Sequence, residues 1–186
     1  MEFRAPRGAL DILPSDQPYW SDIRGVSESV ARSFGYTRID TPVFETTSLF
    51  ERGVGDGTDV VDKEMYTFED RGGDSITLKP EGTAPVCRAY LEHGMGSLQQ
   101  PVRLYYHSPI FRYDRPQAGR SRQHHQFGIE AIGDPSPQVD GEVIELAWSL
   151  LQNLKLTRIL PKINSIGDVR CQPRYVEALR DYYAPY

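Results

Sequence analysis

Two apolar, aromatic-rich segments around a short polar segment constrain the fold of this chain more than any other feature. Residues 102–113 (VRLYYHSPIFRY) read as one long strand, and residues 122–132 (RQHHQFGIEAI) as the strand that returns. Between them, residues 114–121 (DRPQAGRS) contain the Pro and Gly that are typical of a loop. A hairpin of this length predicts that an antiparallel sheet lies at the centre of the fold.

Helical periodicity on both sides of this hairpin predicts the rest of the architecture. Apolar residues recur at helical spacing from Tyr19 to Phe34, and Gly35 follows where a helix-terminating glycine belongs. Further helices are predicted at 83–93, 144–154 and 174–183, and further strands at 36–41, 65–68, 75–79 and 159–163. Hairpin-connected strands with helices around them predict an α+β fold with a mainly antiparallel sheet flanked by helices.

Composition narrows the class of protein. The 186 residues are 39% hydrophobic and 25% charged, which is ordinary for a globular chain, and no apolar run could span a membrane. The N-terminus lacks the apolar core of a signal peptide, and Cys87 and Cys171 lie far apart without metal-like spacing. We therefore expect a reduced, cytoplasmic protein without a metal site of its own. The net charge of −5 predicts that any RNA contact is local or lies outside this segment.

Arg112 is the first candidate for a functional residue. It lies between Phe111 and Tyr113 in the apolar strand, where an arginine is costly unless it meets an anion. Its planar fork suits phosphate or carboxylate oxygens, and two readings stay open: an anionic ligand, or an ion pair with Asp114 or Glu130. The chain has no glycine-rich phosphate loop, so a nucleotide site would use side chains on a sheet. The loop arginines, Arg115 and Arg120, could equally be solvated.

A second candidate cluster follows the predicted strand at 75–79. Pro80 makes the strand end rigid and Gly82 permits a sharp turn, which presents Glu81 and Thr83 at a strand-to-helix corner. A carboxylate at this corner could hold an ammonium group. Alternatively, Thr83 caps the helix and Glu81 only favours its positive end.

Six segments of the chain resemble those of histidyl-tRNA synthetases, a family of class II aminoacyl-tRNA synthetases. Gly35-Tyr36 with Pro42 and Glu45 is similar to motif 1 of the class, and residues 111–114 with the arginine-bearing loop are similar to motif 2. The histidyl type is indicated by LKPEGT at 78–83, RSRQHHQ at 120–126 with Gly128 and Glu130, DVVDKEMY at 59–66, and NSIG at 164–167.

The resemblance covers nearly the whole chain and implies its place in a larger domain. It identifies residues 1–186 as the N-terminal part of a class II catalytic domain, with motif 1 at about 18–45 and motif 2 at about 103–131. The sheet would stop before motif 3, and the anticodon-binding domain would be absent. We therefore expect this chain alone to be inactive or weakly active.

The resemblance also implies an activity and its residues. The enzyme would activate L-histidine with ATP to histidyl-adenylate and transfer it to tRNA(His), as a homodimer built through the helix at 18–34 and the strand at 36–41. Arg112 would be catalytic, since it would grip the α-phosphate and the attacking carboxylate. Histidine would be bound by Glu81, Thr83, Gln126 and Glu130. ATP, with Mg²⁺, would be bound by Arg112, Asp114, Arg120 and His124.

Some residues depart from the family pattern, and two rival functions follow. Asp114 stands where the class usually has Glu, and Ser121 and His124 stand where the family commonly has aromatics. One rival is a synthetase-like, non-catalytic regulatory subunit of ATP phosphoribosyltransferase in histidine biosynthesis. Such a paralogue would tend to lose the charging side chains that this chain retains. The other rival is a stand-alone fragment for dimerisation or histidine sensing.

Overall fold

The structure, a computed structural model, describes residues 3–54, 64–114, 119–165 and 167–185. The glycine-rich segment predicted at 53–59 falls largely outside these ranges, as do Arg115 and residues 59–63. The chain divides into two compact units, Met1–Lys155 and Leu156–Tyr186. Within the described ranges, no helix combines the length and apolar character needed to cross a membrane.

The first unit contains two layers of helices around a central hairpin. Its elements, in chain order, are α1 (Gln17–Ser33), β1 (Thr37–Arg38), β2 (Phe44–Thr46), α2 (Thr47–Val54), β3 (Tyr66–Glu69), β4 (Ser75–Leu78), α3 (Thr83–Glu92), a 3-10 turn (Met95–Ser97), β5 (Val102–Phe111), β6 (Gln123–Ile132) and α4 (Pro137–Asn153). The second unit contains α5 (Gln172–Tyr183). The helix starts and ends follow local chemistry, since α1 begins with a proline in its first turn and ends before Gly35, whose φ is 80°.

The strands form two three-stranded sheets, in the orders β1-β5-β6 and β2-β4-β3. Among the described strands, β1 and β5 are the one parallel pair; the other neighbouring strands are antiparallel. The amide of Phe111 donates a hydrogen bond of 3.0 Å to the carbonyl of Lys79, so that the end of β5 meets the end of β4. The α+β class predicted from the sequence is confirmed.

The central strand β5 is buried on both faces. On one face, Tyr105 packs with Val30, Ala31, Tyr36 and Leu146, so that α1 and α4 cover this side of the sheet. On the other face, Leu104 and Tyr106 pack with Val86 of α3. The alternation of side chains along a strand explains this division, because odd-numbered residues of β5 point to one layer and even-numbered residues to the other.

Two of the predicted strands differ from the observed ones. The strand predicted at 159–163 is wrong: no strand forms there, because Pro161 has no amide to donate and Leu160 and Ile163 are 78% and 73% exposed. The strand predicted at 36–41 shortens to Thr37–Arg38, as the ladder to β5 ends one bond later, at Ile39. β2 and α2 were not predicted, since three residues of strand and eight of helix are too short for a clear period.

Candidate active site

The hairpin of β5 and β6 builds the floor of the candidate site. Its register pairs Leu104 with Glu130, Tyr106 with Gly128, Ser108 with Gln126 and Ile110 with His124. Paired residues in an antiparallel sheet share a face, so His124, Gln126 and Glu130 lie in a row on the face that α3 covers. Gln126 also borders a cavity of about 440 Å³ next to α1. Three of the predicted site residues thus share one surface because even numbers of positions separate them along β6.

Glu81 and Thr83 stand at the corner between β4 and α3. The Glu81 carboxylate accepts hydrogen bonds from the amides of Thr83 and Ala84, at 2.6 and 2.7 Å, and so it stabilises the start of the helix. The Thr83 hydroxyl donates instead to Oε1 of Glu130, at 2.8 Å. Of the two structural roles considered for this corner, Glu81 does favour the helix start, whereas the hydroxyl of Thr83 turns to the sheet.

Glu130 is a half-buried carboxylate in an acidic surrounding. Burial raises its pKa, and the nearby charge of Glu81 raises it further, whereas the hydrogen bonds from Thr83 and Tyr106 lower it. Burial also raises the pKa of the Cys87 thiol on α3, with smaller contributions from Glu130 and Glu81. A cationic or hydrogen-bond-donating ligand would be stabilised here, because it would offset the desolvated negative charge.

Arg112 is fixed to the corner from the opposite side. Its Nε donates a hydrogen bond of 2.7 Å to the carbonyl of Pro80, and its amide donates to the carbonyl of Arg122 at 2.9 Å. The ion-pair alternatives meet other partners: Asp114 pairs with Arg120 at 3.3 Å, and Glu130 accepts from Thr83. The side chain is half-buried, and its fork lies where the hairpin meets the strand-to-helix corner.

The open end of the hairpin carries the remaining predicted residues. Arg120 is 62% exposed and Asp114 25% exposed, and residues 115–118 between them lie outside the described ranges. His124 lies near the guanidinium of Arg112, and its pKa is lowered first by burial and then by that charge. A positively charged arginine beside an aromatic ring suits a nucleotide, with phosphates on the cation and a base on the ring.

Tyr106 and Arg122 contribute to this site and were not among the predicted site residues. Tyr106 was predicted only as part of the aromatic strand, and its hydroxyl donates to Glu130 at 3.4 Å. Gly82 and Gly128 leave the space that its ring fills, since a Cβ on either would overlap the phenol. The signal was a glycine within a strand, which often marks a close approach. Arg122 contributes through its guanidinium, which lies 4.0 Å from the centre of the Tyr113 ring.

A cavity of about 880 Å³ opens beside this corner, along α3. It is lined by Leu49, Arg52, Glu81, Thr83, Ala84, Cys87, Arg88, Leu91 and Glu92. Only Glu81 and Thr83 among the predicted site residues border it, so the site is an open surface rather than one closed chamber. Within the described part of the chain, no three acidic, histidine or cysteine side chains converge as a metal site.

The curated proteins that are similar to this chain share one name. The chain is 61% identical over 181 residues to a histidine--tRNA ligase of Dehalococcoides mccartyi. This alignment covers 97% of this chain and 43% of that protein. It is 54% identical over 177 residues to one from Alkaliphilus oremlandii, covering 95% of this chain and 42% of that protein. The chain thus spans less than half the length of these curated relatives.

Solved structures and a family model agree with these relatives. Apo histidyl-tRNA synthetase of S. aureus superposes with a TM-score of 0.80 at 42% identity, over 99% of this chain and 43% of that one. A protein from Bacillus halodurans described as an ATP phosphoribosyltransferase regulatory subunit/histidyl-tRNA synthetase gives 0.72 at 29% identity, over 84% of this chain and 39% of that one. The family model for histidyl-tRNA synthetase matches residues 8–167. By the extent of this match, the chain belongs to the histidyl-tRNA synthetase family.

Proposed function

We propose that this chain is part of a histidine--tRNA ligase, which activates L-histidine with ATP to histidyl-adenylate and transfers it to tRNA(His). The observation that carries the proposal is the meeting of two unlike halves at one corner. Glu81, Thr83 and Glu130 form an acidic half, and Arg112, bound to the Pro80 carbonyl, begins a basic half. The ammonium group of an amino acid needs an acidic partner and the phosphates of ATP need a basic one, so a site for both needs the two charges next to each other.

In this proposal the acidic half binds histidine. The α-ammonium group would lie against Glu81 and the Thr83 hydroxyl, and Gln126 and Glu130 would face the imidazole. A site built to hydrogen-bond a ring N–H rejects apolar mimics strongly, because its own polar groups would stay unpaired. The half-buried Glu130 supplies such a group.

The basic half would bind ATP. Arg112 would hold the α-phosphate and the attacking carboxylate, which brings the two reactants into line and stabilises the charge that develops between them. Asp114, Arg120 and His124 would contact the rest of the nucleotide. Mg²⁺ would come with the triphosphate, whose oxygens are its usual ligands together with one or two carboxylates.

A homodimer is part of the same proposal. Tyr19 and Ile23 on α1 are 73% and 46% exposed, which leaves apolar surface for a second copy on the helix of the proposed motif 1. Sedimentation of the chain at several concentrations tests this, with Ile23→Glu expected to shift the equilibrium to monomer.

The cytoplasm is the expected compartment, and the free thiols of Cys87 and Cys171 suit reducing conditions.

Calorimetric titration with L-histidine tests the acidic half. Glu130→Gln removes one negative charge from the pocket, and we expect it to weaken binding by about 10-fold or more. Glu145→Gln, on the exposed side of α4, makes the same chemical change away from the site and should leave affinity unaltered. If the wild-type chain does not bind histidine, or if both variants bind alike, the proposal for this half is wrong.

Histidine-dependent exchange of pyrophosphate into ATP tests the activation step, in which both halves of the site act together. In a chain that also includes the remaining part of the relatives' length, Arg112→Ala is expected to reduce exchange by about 100-fold or more, which is the cost of removing one donor to developing charge. Arg170→Ala is the control, because this arginine is 88% exposed and its ion pair among the described residues is a local one, with Asp168. Histidine binding without exchange in the wild-type chain would indicate that residues beyond this chain complete the nucleotide half.

The regulatory-subunit reading has one observation in its favour, the likeness to the Bacillus halodurans protein whose description carries both functions. Histidine binding alone would not separate the two readings, since a regulatory subunit could bind it as well. Exchange activity in a chain that includes the missing parts of the relatives' length would separate them. The retained set of Glu81, Thr83, Arg112 and Glu130 favours the ligase.

A further inference from the structure

Tyr106 occupies a space that two separate segments leave open. The ring is 4% exposed, with Gly128 directly opposite on β6 and Gly82 at the start of α3. A Cβ on either glycine would overlap the phenol, so the ring can reach this position only where both side chains are missing. The arrangement directs the tyrosine hydroxyl to the underside of the candidate site.

The Tyr106 hydroxyl and the Thr83 hydroxyl converge on one oxygen atom. Both donate to Oε1 of Glu130, at 3.4 Å from Tyr106 and 2.8 Å from Thr83. The first distance is long for an O–H···O bond, of the kind that shortens when a ligand closes around a site. A carboxylate has lone pairs on both oxygens, so Oε2 is the oxygen that this anchoring leaves to a ligand.

We propose that Tyr106 is a positioning residue for amino-acid recognition: it holds the Glu130 carboxylate so that Oε2 accepts a hydrogen bond from the ring N–H of histidine. This inference rests on the proposed function and deepens it. Thr83 alone would leave the carboxylate able to rotate about one hydrogen bond. A second donor, carried by a ring wedged between two main-chain segments, fixes the plane of the carboxylate.

The charges around Glu130 explain why a second donor matters. Glu81 at the corner carries the same sign, Cys87 and Thr83 face it from α3, and Tyr106 faces it from β5. Burial raises the pKa of Glu130, and the donors oppose this effect. Loss of the Tyr106 hydroxyl would therefore raise the pKa further, so that the carboxylate takes up a proton at a higher pH.

The test compares Tyr106→Phe with Tyr105→Phe. Both changes remove one hydroxyl from neighbouring buried tyrosines, but the Tyr105 hydroxyl is buried without a hydrogen-bond partner among the described residues. We expect Tyr106→Phe to weaken histidine binding by about 5- to 20-fold in calorimetry, and Tyr105→Phe to change it by less than about 2-fold. As the pH is lowered, the histidine affinity of Tyr106→Phe should also begin to fall at a higher pH than that of the wild type. The titration of histidine itself is the same in both experiments and therefore cancels in this comparison.

A ligand-free measurement separates this inference from the proposed function. Carbon-13 NMR of labelled glutamate follows the titration of Glu130 directly, and Tyr106→Phe should raise its pKa while Tyr105→Phe should not. An unchanged Glu130 pKa, or equal loss of affinity in the two variants, would overturn the positioning role. If the wild type binds no histidine but the NMR shift occurs, the anchoring of Glu130 stands and the assignment of histidine as the ligand fails.

Discussion

A single carboxylate, that of Glu142 on α4, joins Arg103 on β5 and Tyr36, the residue just before β1. Arg103 donates from Nε and Nη2 to the two carboxylate oxygens, each at 2.8 Å, and the Tyr36 hydroxyl donates to Oε1 at 3.1 Å. The bidentate contact with Arg103 lowers the pKa of Glu142, and burial together with Glu142 raises the pKa of Tyr36 to about 12. The cluster attaches α4 to the strand beneath it.

This cluster predicts a loss of stability in acid. The pKa of Glu142 is lowered from 4.5 in the folded protein, so the stability that it contributes is present above that pH and is lost as the pH falls through the folded value. Glu142→Gln should cost about 1 kcal/mol in the free energy of unfolding at pH 7, and this cost should shrink as the pH is lowered below 4.5. Urea unfolding at a series of pH values measures this trend. A cost that stays the same over the whole acid range in which the protein remains folded would contradict the prediction.

For single residues, the sequence indicated which side chains have a chemical role better than it indicated which atoms they contact. Arg112 stood out because an arginine in an apolar strand needs an anion, and the structure does fix it beside the predicted binding corner. Its partner, the carbonyl of Pro80, could not be predicted, because a main-chain acceptor leaves no trace in side-chain patterns. Tyr106 was missed for a related reason: a tyrosine among apolar neighbours looks like core until the strand opposite is known.

The β5–β6 hairpin is the element on which the candidate site depends. The length of the hairpin was predictable from two aromatic segments. Its register was observed in the structure as ten residue pairs, from Val102↔Ile132 to Phe111↔Gln123. The register places Gly128 opposite Tyr106, and that pairing sets how closely α3 can approach the sheet. Short elements were less predictable, since two- and three-residue strands such as β1 and β2 carry no period of their own.

Gly128→Ala tests this packing. The new methyl group would overlap the ring of Tyr106, and we expect the free energy of unfolding to fall by about 1–3 kcal/mol, as for other overpacked cores. Gly141→Ala in α4 is the matched change: its Cβ meets nothing within 4 Å, so it should raise stability by about 0.5–1 kcal/mol. Denaturant unfolding of both variants gives the comparison. Equal effects would mean that the space around Tyr106 can adjust freely.

At the scale of the whole molecule, the apolar core belongs to the first unit. Every buried hydrophobic residue of the described chain lies between Val30 and Leu146. In the unit Leu156–Tyr186, the described side chains are exposed except for Ile159, which is half-buried. The helix predicted there at 174–183 does form, because a local 3.6-residue period suffices to predict α5.

Removal of residues 156–186 should therefore leave the core intact. We expect the free energy of unfolding of the remaining chain to lie within about 1 kcal/mol of the full chain, since no buried apolar side chain is lost. Denaturant unfolding of the two chains, followed by tyrosine and tryptophan fluorescence, measures this. A fall of several kcal/mol, or loss of a cooperative transition, would show that the second unit contributes to the core.

The hydrogen bond from Arg112 to Pro80 sets a length as well as an orientation. The carbonyl of Pro80 and the amide nitrogen of Glu81 belong to one peptide group, which is planar and resists twisting. One end of this rigid peptide plane therefore accepts the hydrogen bond from the Arg112 guanidinium, and its other end leads into Glu81, the residue that begins the acidic half. In the proposed reaction, the amino acid's carboxylate must lie against the α-phosphate. The main chain between Pro80 and Glu81 would help to keep the two halves of the site at the distance that this contact requires. The main chain at this corner would then set the distance between the two halves of the site, and the side chains would make the final adjustment.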